Sequence, residues 1–199
     1  RADLDQVVGG DAEFRDFTDP VDARDPAISR ALRLDGAPGD YALIPSVFAQ
    51  RLTQWTLEAW INADSATDGV VVRRAVQRIA PGAYAENYTL GVASNGAGVT
   101  PYAGYVTLNG ITNYLFADRI PTGAWVHLSA SYDYDTATLT LYTNGLAAAF
   151  TNGFDEVPPV NGRVGDAFLR IGEQFAGRID EVRLWTKAVN GLDILANYN

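Results

Sequence analysis

Six Asn-Gly pairs divide this chain: Asn95-Gly96, Asn109-Gly110, Asn144-Gly145, Asn152-Gly153, Asn161-Gly162 and Asn190-Gly191. Both residues tolerate positive φ, the conformation that a tight turn between antiparallel strands requires. The runs between the pairs alternate in polarity. In residues 56–62 (TLEAWIN), Leu57, Ala59 and Ile61 fall on one face and Thr56, Glu58 and Trp60 on the other. Residues 125–132, 138–143 and 168–171 repeat that period of two. No segment carries a long helical stripe. Only residues 190–198, with Leu192, Leu195 and Tyr198 at i, i+3 and i+6, have the spacing of a short helix. The pattern predicts an all-β, antiparallel fold of two sheets packed face to face.

At 199 residues and 47% hydrophobic content, the chain fits one large β domain with a continuous core between its sheets. Its formal charge of −9 disfavours nucleic acid, whose phosphates need a basic face. No apolar run approaches the roughly 18 residues of a membrane span. With no cysteine, disulfides and thiolate metal sites are excluded. A chain that starts at Arg1 and contains no methionine is expected to be a processed product or an excised segment, secreted or held at a cell surface. Residues 1–30 differ from the rest, with seven aspartates and breaks at Pro20 and Pro26. They read as an acidic arm with a strand over residues 12–17, anchored by Phe14. That strand either completes this chain's own sandwich or is exchanged with a neighbouring subunit, which would make the arm a self-assembly element.

Four motifs, in order, carry a family resemblance. They are Ala31-Leu32-Arg33-Leu34-Asp35-Gly36 with Asp40-Tyr41-Ala42; Thr56-Leu57-Glu58-Ala59-Trp60-Ile61; Trp125, His127, Leu128 and Tyr132-Asp133 with Leu141-Tyr142-Thr143-Asn144-Gly145; and Gly177-Arg178-Ile179-Asp180-Glu181-Val182-Arg183-Leu184. Together they resemble the laminin-G-like jelly-roll domains of the concanavalin A-like lectin/glucanase superfamily, over residues 31–199. The resemblance implies a two-sheet antiparallel jelly-roll β-sandwich whose first and last strands lie close together. It also implies a structural calcium ion, for which Asp35, Asp40, Asp180 and the Gly36 carbonyl offer the oxygen chemistry calcium takes. The alternative is that Asp35-Gly36 is only a turn and Asp180 pairs with Arg178 or Arg183.

The superfamily contains sugar-cleaving and purely binding members. Glycosidases place two carboxylates about 5 to 9 Å apart. The cleaving branch carries them on one strand in an E-x-D-x-x-E-like pattern, which this sequence lacks. Its adjacent pairs, Asp155-Glu156 and Asp180-Glu181, would point to opposite faces of a strand, and Glu58 stands alone in its run. His127 is the single histidine and reads as structural. The expectation is a non-catalytic protein.

Sugar rings stack on aromatic faces while their hydroxyls pair with polar groups. Tyr84, Tyr88, Tyr102, Tyr105 and Tyr114, with Asn87 and Asn113, form the candidate ligand-binding set, against the reading that most of these tyrosines fill or flank the core. Asn87-Tyr88-Thr89 also fits a glycosylation acceptor. The expected function is an extracellular carbohydrate-binding or adhesion module whose partner is a glycan or a cell-surface or matrix protein. The alternative is a structural subunit of a filament, surface layer or matrix.

Overall fold

The structure, a computed structural model, describes residues 31–44, 50–94, 96–154, 156–163 and 167–198, with the backbone of residues 7–8, 13–16 and 30. Among these, fourteen strands form two antiparallel sheets of seven. The front sheet runs β1 (Val7–Val8), β4 (Tyr41–Ile44), β13 (Phe168–Ile171), β6 (Gly69–Ala80), β7 (Ala83–Ser94), β8 (Val99–Val106) and β9 (Thr112–Phe116). The back sheet runs β12 (Leu146–Thr151), β11 (Thr138–Thr143), β10 (Val126–Asp133), β5 (Trp55–Ala63), β14 (Ala176–Trp185), β3 (Arg30–Asp35) and β2 (Glu13–Asp16). This is the expected jelly-roll sandwich. Its inner faces meet in one core that includes Leu34, Trp55, Leu57, Val71, Tyr88, Leu90, Tyr105, Leu128 and Leu141.

The Asn-Gly pairs do two different jobs. Asn144 (φ 50°) and Gly145 (φ 77°) close the β11–β12 hairpin, and Gly110 (φ 81°) lies in the connection from β8 to β9. Asn190, by contrast, opens helix α1 (Gly191–Tyr198). Its Oδ1 accepts the Leu192 and Asp193 N–H groups, each at 3.0 Å, while its Nδ2 donates to Asp193. Those bonds satisfy N–H groups that a helix start otherwise leaves unpaired. The helix rests on Ile194, fully buried, whereas Leu192 of the expected stripe is 80% exposed.

In the N-terminal region, β2 pairs with β3, and β1 pairs with β4, of the same chain. The rest of the expected acidic arm, and the side chain of Phe14, lie outside the described residues.

Alternation in β5 predicts one buried and one open face, yet all nine of its residues are buried. Trp55, Leu57, Ala59 and Ile61 enter the core. Thr56, Glu58 and Trp60 face the other way, beneath α1 and the segment leading into it. The Thr56 hydroxyl meets the Lys187 carbonyl at 2.9 Å and accepts the Val189 N–H at 2.9 Å. Trp60 stacks on Tyr198 with ring centroids 5.5 Å apart. Glu58 accepts hydrogen bonds from the Trp185 indole N–H and from Asn197 Nδ2, and its second oxygen lies 3.4 Å from His127 Nε2.

A buried carboxylate is tolerated only where donors replace its water. Trp185→Phe keeps most of the ring and deletes one donor, so it is expected to cost about 1–3 kcal/mol and lower the melting temperature by roughly 2–12 °C. Thermal denaturation followed by circular dichroism checks this. An unchanged melting temperature would show that Glu58 does not need the indole.

Candidate functional site

With α1 over the middle of the back sheet, the outer face of the front sheet is, among the described residues, the sheet surface that no helix covers. Register identifies its residues. Arg170 on β13 stands opposite Arg73 on β6, Arg73 opposite Thr89 on β7, Thr89 opposite Gly104 on β8, and Gly104 opposite Tyr114 on β9. This row crosses five strands, about 19 Å at the usual strand spacing. Phe168, Ala75, Glu86 and Val106 form a flanking row; Val70, Gly91, Tyr102 and Phe116 form the other.

Two glycines shape the surface. A Cβ at Gly91 would lie 2.6 Å from the end of the Tyr102 ring, and one at Gly104 would lie 1.9 Å from the Asn113 carbonyl and 2.9 Å from the Tyr114 ring. Their absence lets both rings lie down against the sheet instead of standing on it. The rings sit side by side, with centroids 4.9 Å apart and planes 30° apart. Phe116, 51% exposed, extends the patch, 5.7 Å from Tyr102. A second aromatic group lies across the face. Tyr84 meets Phe168 edge-on at 5.0 Å, and the Arg170 guanidinium lies 4.0 Å from the Phe168 ring and 4.2 Å from the Tyr41 ring.

Between the aromatic groups runs a ladder of opposite charges. Glu173, in the turn after β13, binds both Arg170, at 2.7 Å, and Arg73. Arg73 also binds Glu86 at 3.0 Å. Glu86 Oε2 then accepts the Thr89 hydroxyl at 2.5 Å and the Tyr114 hydroxyl at 2.7 Å. Burial disfavours the Arg73 charge, but Glu86 and Glu173 outweigh it and hold the guanidinium above its ordinary pKa. The Tyr102 and Tyr114 phenols are pushed well above their ordinary range, first by burial and then by the Glu86 charge. Hydroxyl groups and aromatic faces are what such a surface can receive, with hydrogen-bond capacity between platforms for apolar ring faces.

The seven residues expected to bind ligand divide. Tyr84, Tyr102 and Tyr114 belong to this face. Tyr88 and Tyr105 are fully buried in the core, and Asn87 is spent internally, bonding both backbone groups of Leu52 and Arg74. For Tyr88 the cause is a register shift between Glu86 and Thr89, since strict alternation would put Tyr84, Glu86 and Tyr88 on one side. Asn113 shares the inward side of β9, opposite Tyr105. Asn87 at 0% exposure is closed to glycosylation in the folded chain. Arg73, Glu86, Thr89, Phe116, Phe168, Arg170 and Glu173 were not in the expected set.

The expected calcium set also separates. Asp35 is opposite Ala176, so Asp180 lies four residues further along β14, about 13 Å away. Two carboxylates on one calcium must bring oxygens within about 5 Å of each other. Asp35 and Asp40 instead tie off their own turn. Asp40 Oδ2 accepts the Asp35 N–H at 3.0 Å and Asp35 Oδ1 accepts the Ala37 N–H at 2.7 Å. The Ala37 N–H, followed by the Asp40 side chain, holds the Asp35 carboxyl below its ordinary range. Asp180 sits at a bulge, and the next residue, Glu181 (φ 49°), is ion-paired to Arg183 at 2.9 Å. These four residues do not fit one ion. Among the described residues no group of three or more His, Asp or Glu side chains is placed to hold a metal.

The expected non-catalytic His127 is 1% exposed, beside Glu58 and under α1. Glu58 stands alone within its own run because its neighbours come from β10, β14 and α1.

Comparisons with known proteins agree with this fold. A laminin-G-like family model, described as Concanavalin A-like lectin/glucanases superfamily, matches residues 35–195. No curated protein matches the chain. Among solved structures, domain 4 of an extracellular arabinanase from Geobacillus stearothermophilus, in complex with arabinotriose, is similar at 18% identity and TM-score 0.64, covering 96% of this chain and 82% of that one. The native heptameric SAP-like pentraxin from Limulus polyphemus is similar at 14% identity and TM-score 0.56, covering 74% and 70%. A putative carbohydrate binding protein from Bacteroides ovatus is similar at 19% identity and TM-score 0.54, covering 78% of this chain and 43% of that one. At these identities the likeness is one of fold.

The tyrosines supply a pH test. In an unfolded chain phenols ionise near pH 10, whereas burial keeps Tyr88, Tyr102 and Tyr114 protonated to higher pH in the fold. Above about pH 10 the unfolded state therefore binds fewer protons, and stability falls as pH rises. Below pH 10 their contribution is fully present. Urea midpoints are expected to hold steady from pH 8 to 9.5 and to drop by pH 11. A flat profile to pH 11 would show that these phenols are not held back by the fold.

Proposed function

The chain belongs to the Concanavalin A-like lectin/glucanases superfamily, and on that premise we propose that it is a non-catalytic, extracellular carbohydrate-binding module. Its site is the outer face of the front sheet, centred on Tyr102, Tyr114, Glu86 and Arg73. The observation that carries this reading is the pair of tyrosine rings laid against Gly91 and Gly104, beside a fixed polar ladder. Flat rings accept the apolar faces of sugars, and the ladder gives hydroxyl groups both donors and acceptors. The similar arabinanase domain was solved with arabinotriose, which makes a polysaccharide a reasonable partner to test first. The sugar could equally be carried by a cell-surface or matrix glycoprotein, and adhesion would then be the consequence of binding it.

The same ladder argues against catalysis. General acid–base work needs a carboxyl free to give and take a proton. Glu86 and Glu173 are each held by Arg73, and Glu86 also receives two hydroxyl donors.

Affinity electrophoresis against soluble polysaccharides tests the reading. Retardation by at least one of them is expected. Tyr102→Ala and Tyr114→Ala should each weaken it roughly tenfold or more, about 1.4 kcal/mol of lost stacking and hydrogen bonding. Tyr134→Ala, in the exposed β10–β11 turn, should leave it unchanged. No retardation by any polysaccharide or glycoprotein, or loss with Tyr134→Ala alone, would reject the assignment.

A further inference from the structure

Arg73 and Arg170 stand directly opposite each other on neighbouring strands, on one face of the front sheet. Like charges in that position repel. Left alone, two guanidiniums side by side on a face that binds sugars would form a receptor for an anion, because each presents forked N–H donors suited to a carboxylate or sulfate. Glu173 fills that role from within the chain. It binds Arg170 through Oε1 at 2.7 Å and Arg73 through Oε2, and its side chain is only 14% exposed. Glu86 takes the other side of Arg73. The ladder Arg170, Glu173, Arg73, Glu86 carries no net charge, and it sits in a chain of net charge −9.

We propose that this face selects uncharged glycans, and that Glu173 is the residue that sets the selectivity by occupying the two arginines an acidic sugar would need. The inference rests on the carbohydrate-binding reading given above and adds the class of ligand to it. An acidic sugar would have to displace Glu173 or place its own charge beside Glu173 and Glu86, and both cost free energy. A neutral sugar meets no such barrier. Each carboxylate offers about four lone-pair positions, of which Glu173 uses two, so a hydroxyl can still donate to it. The guanidinium N–H groups that the carboxylates leave unused can donate to sugar oxygens.

Two arms of one experiment test this by affinity electrophoresis. The first compares the unmodified protein on neutral polysaccharides (arabinan, xylan, mixed-linkage β-glucan) with acidic ones (polygalacturonate, alginate). Retardation by at least one neutral polymer and by neither acidic one is expected. Equal or stronger retardation by an acidic polymer overturns the selectivity, while the carbohydrate-binding reading survives.

The second arm uses Glu173→Gln, which keeps the side-chain shape and removes the charge, with Asp135→Asn as a control. Asp135 is an exposed turn residue, and its replacement makes the same change in net charge. Glu173→Gln should gain affinity for polygalacturonate of roughly tenfold or more, and salt should weaken it. Asp135→Asn should gain nothing. If Glu173→Gln shows no gain, or Asp135→Asn gains as much, the role of Glu173 is overturned, whether or not the unmodified protein binds a neutral glycan. Removing Glu173 leaves Arg73 and Arg170 facing each other, so melting curves accompany the assay. If the variant does not fold, the first arm alone decides the selectivity.

Discussion

The arrangement hangs on the burial of Glu58. A carboxylate at 0% exposure in the central strand of the back sheet would cost several kcal/mol if left without donors. Two donors reach it, Trp185 at the end of β14 and Asn197 in α1, and His127 lies 3.4 Å away across the β5–β10 pairing. Satisfying one charge thus ties the last strand and the terminal helix onto the sheet. Tyr198 then stacks on Trp60, and Thr56 takes the backbone between them. The back sheet gains a lid, and the two sandwich faces become inequivalent. On the front face Phe116 is exposed, Tyr102, Tyr114, Arg73 and Glu173 are half-buried with Glu86 buried among them, and no helix lies over them among the described residues.

What the sequence makes legible is what depends on neighbours along the chain. Alternation in TLEAWIN locates β5 and selects Leu57, Ala59 and Ile61 as core, and Asn144-Gly145 locates a hairpin. The polar face of β5 is misread because its cover arrives from residues more than a hundred positions away. The expected grouping of Asp180 with Asp35 fails for a related reason. Motifs place Asp35 and Asp180 on adjacent strands, but a register of Asp35 opposite Ala176 moves them apart by four residues. Adjacency of strands follows from a family pattern; register does not.

The tyrosines make the same point within a single strand. Tyr84 and Tyr88 are four apart, and unbroken alternation would put them on one face. The irregular pairing between Glu86 and Thr89 turns Asn87 and Tyr88 inward together, and Glu86 and Thr89 outward. No local composition marks that bulge. The charged ladder is further from view, since Arg73, Glu86, Arg170 and Glu173 come from three separated segments whose charges look like ordinary solvated residues in a linear reading.

The two outward tyrosines and the ladder are one unit. Tyr114 donates its hydroxyl to Glu86, Glu86 holds Arg73, and Arg73 holds Glu173. Each bond removes rotamer freedom before any ligand arrives, and ordering long side chains on binding otherwise costs about 0.5–1.5 kcal/mol apiece. A sugar, whose hydroxyls exchange water for protein at little net gain, binds best to a surface already in place. The order of this face therefore has one cause, the pairing of every carboxylate in the ladder with an arginine.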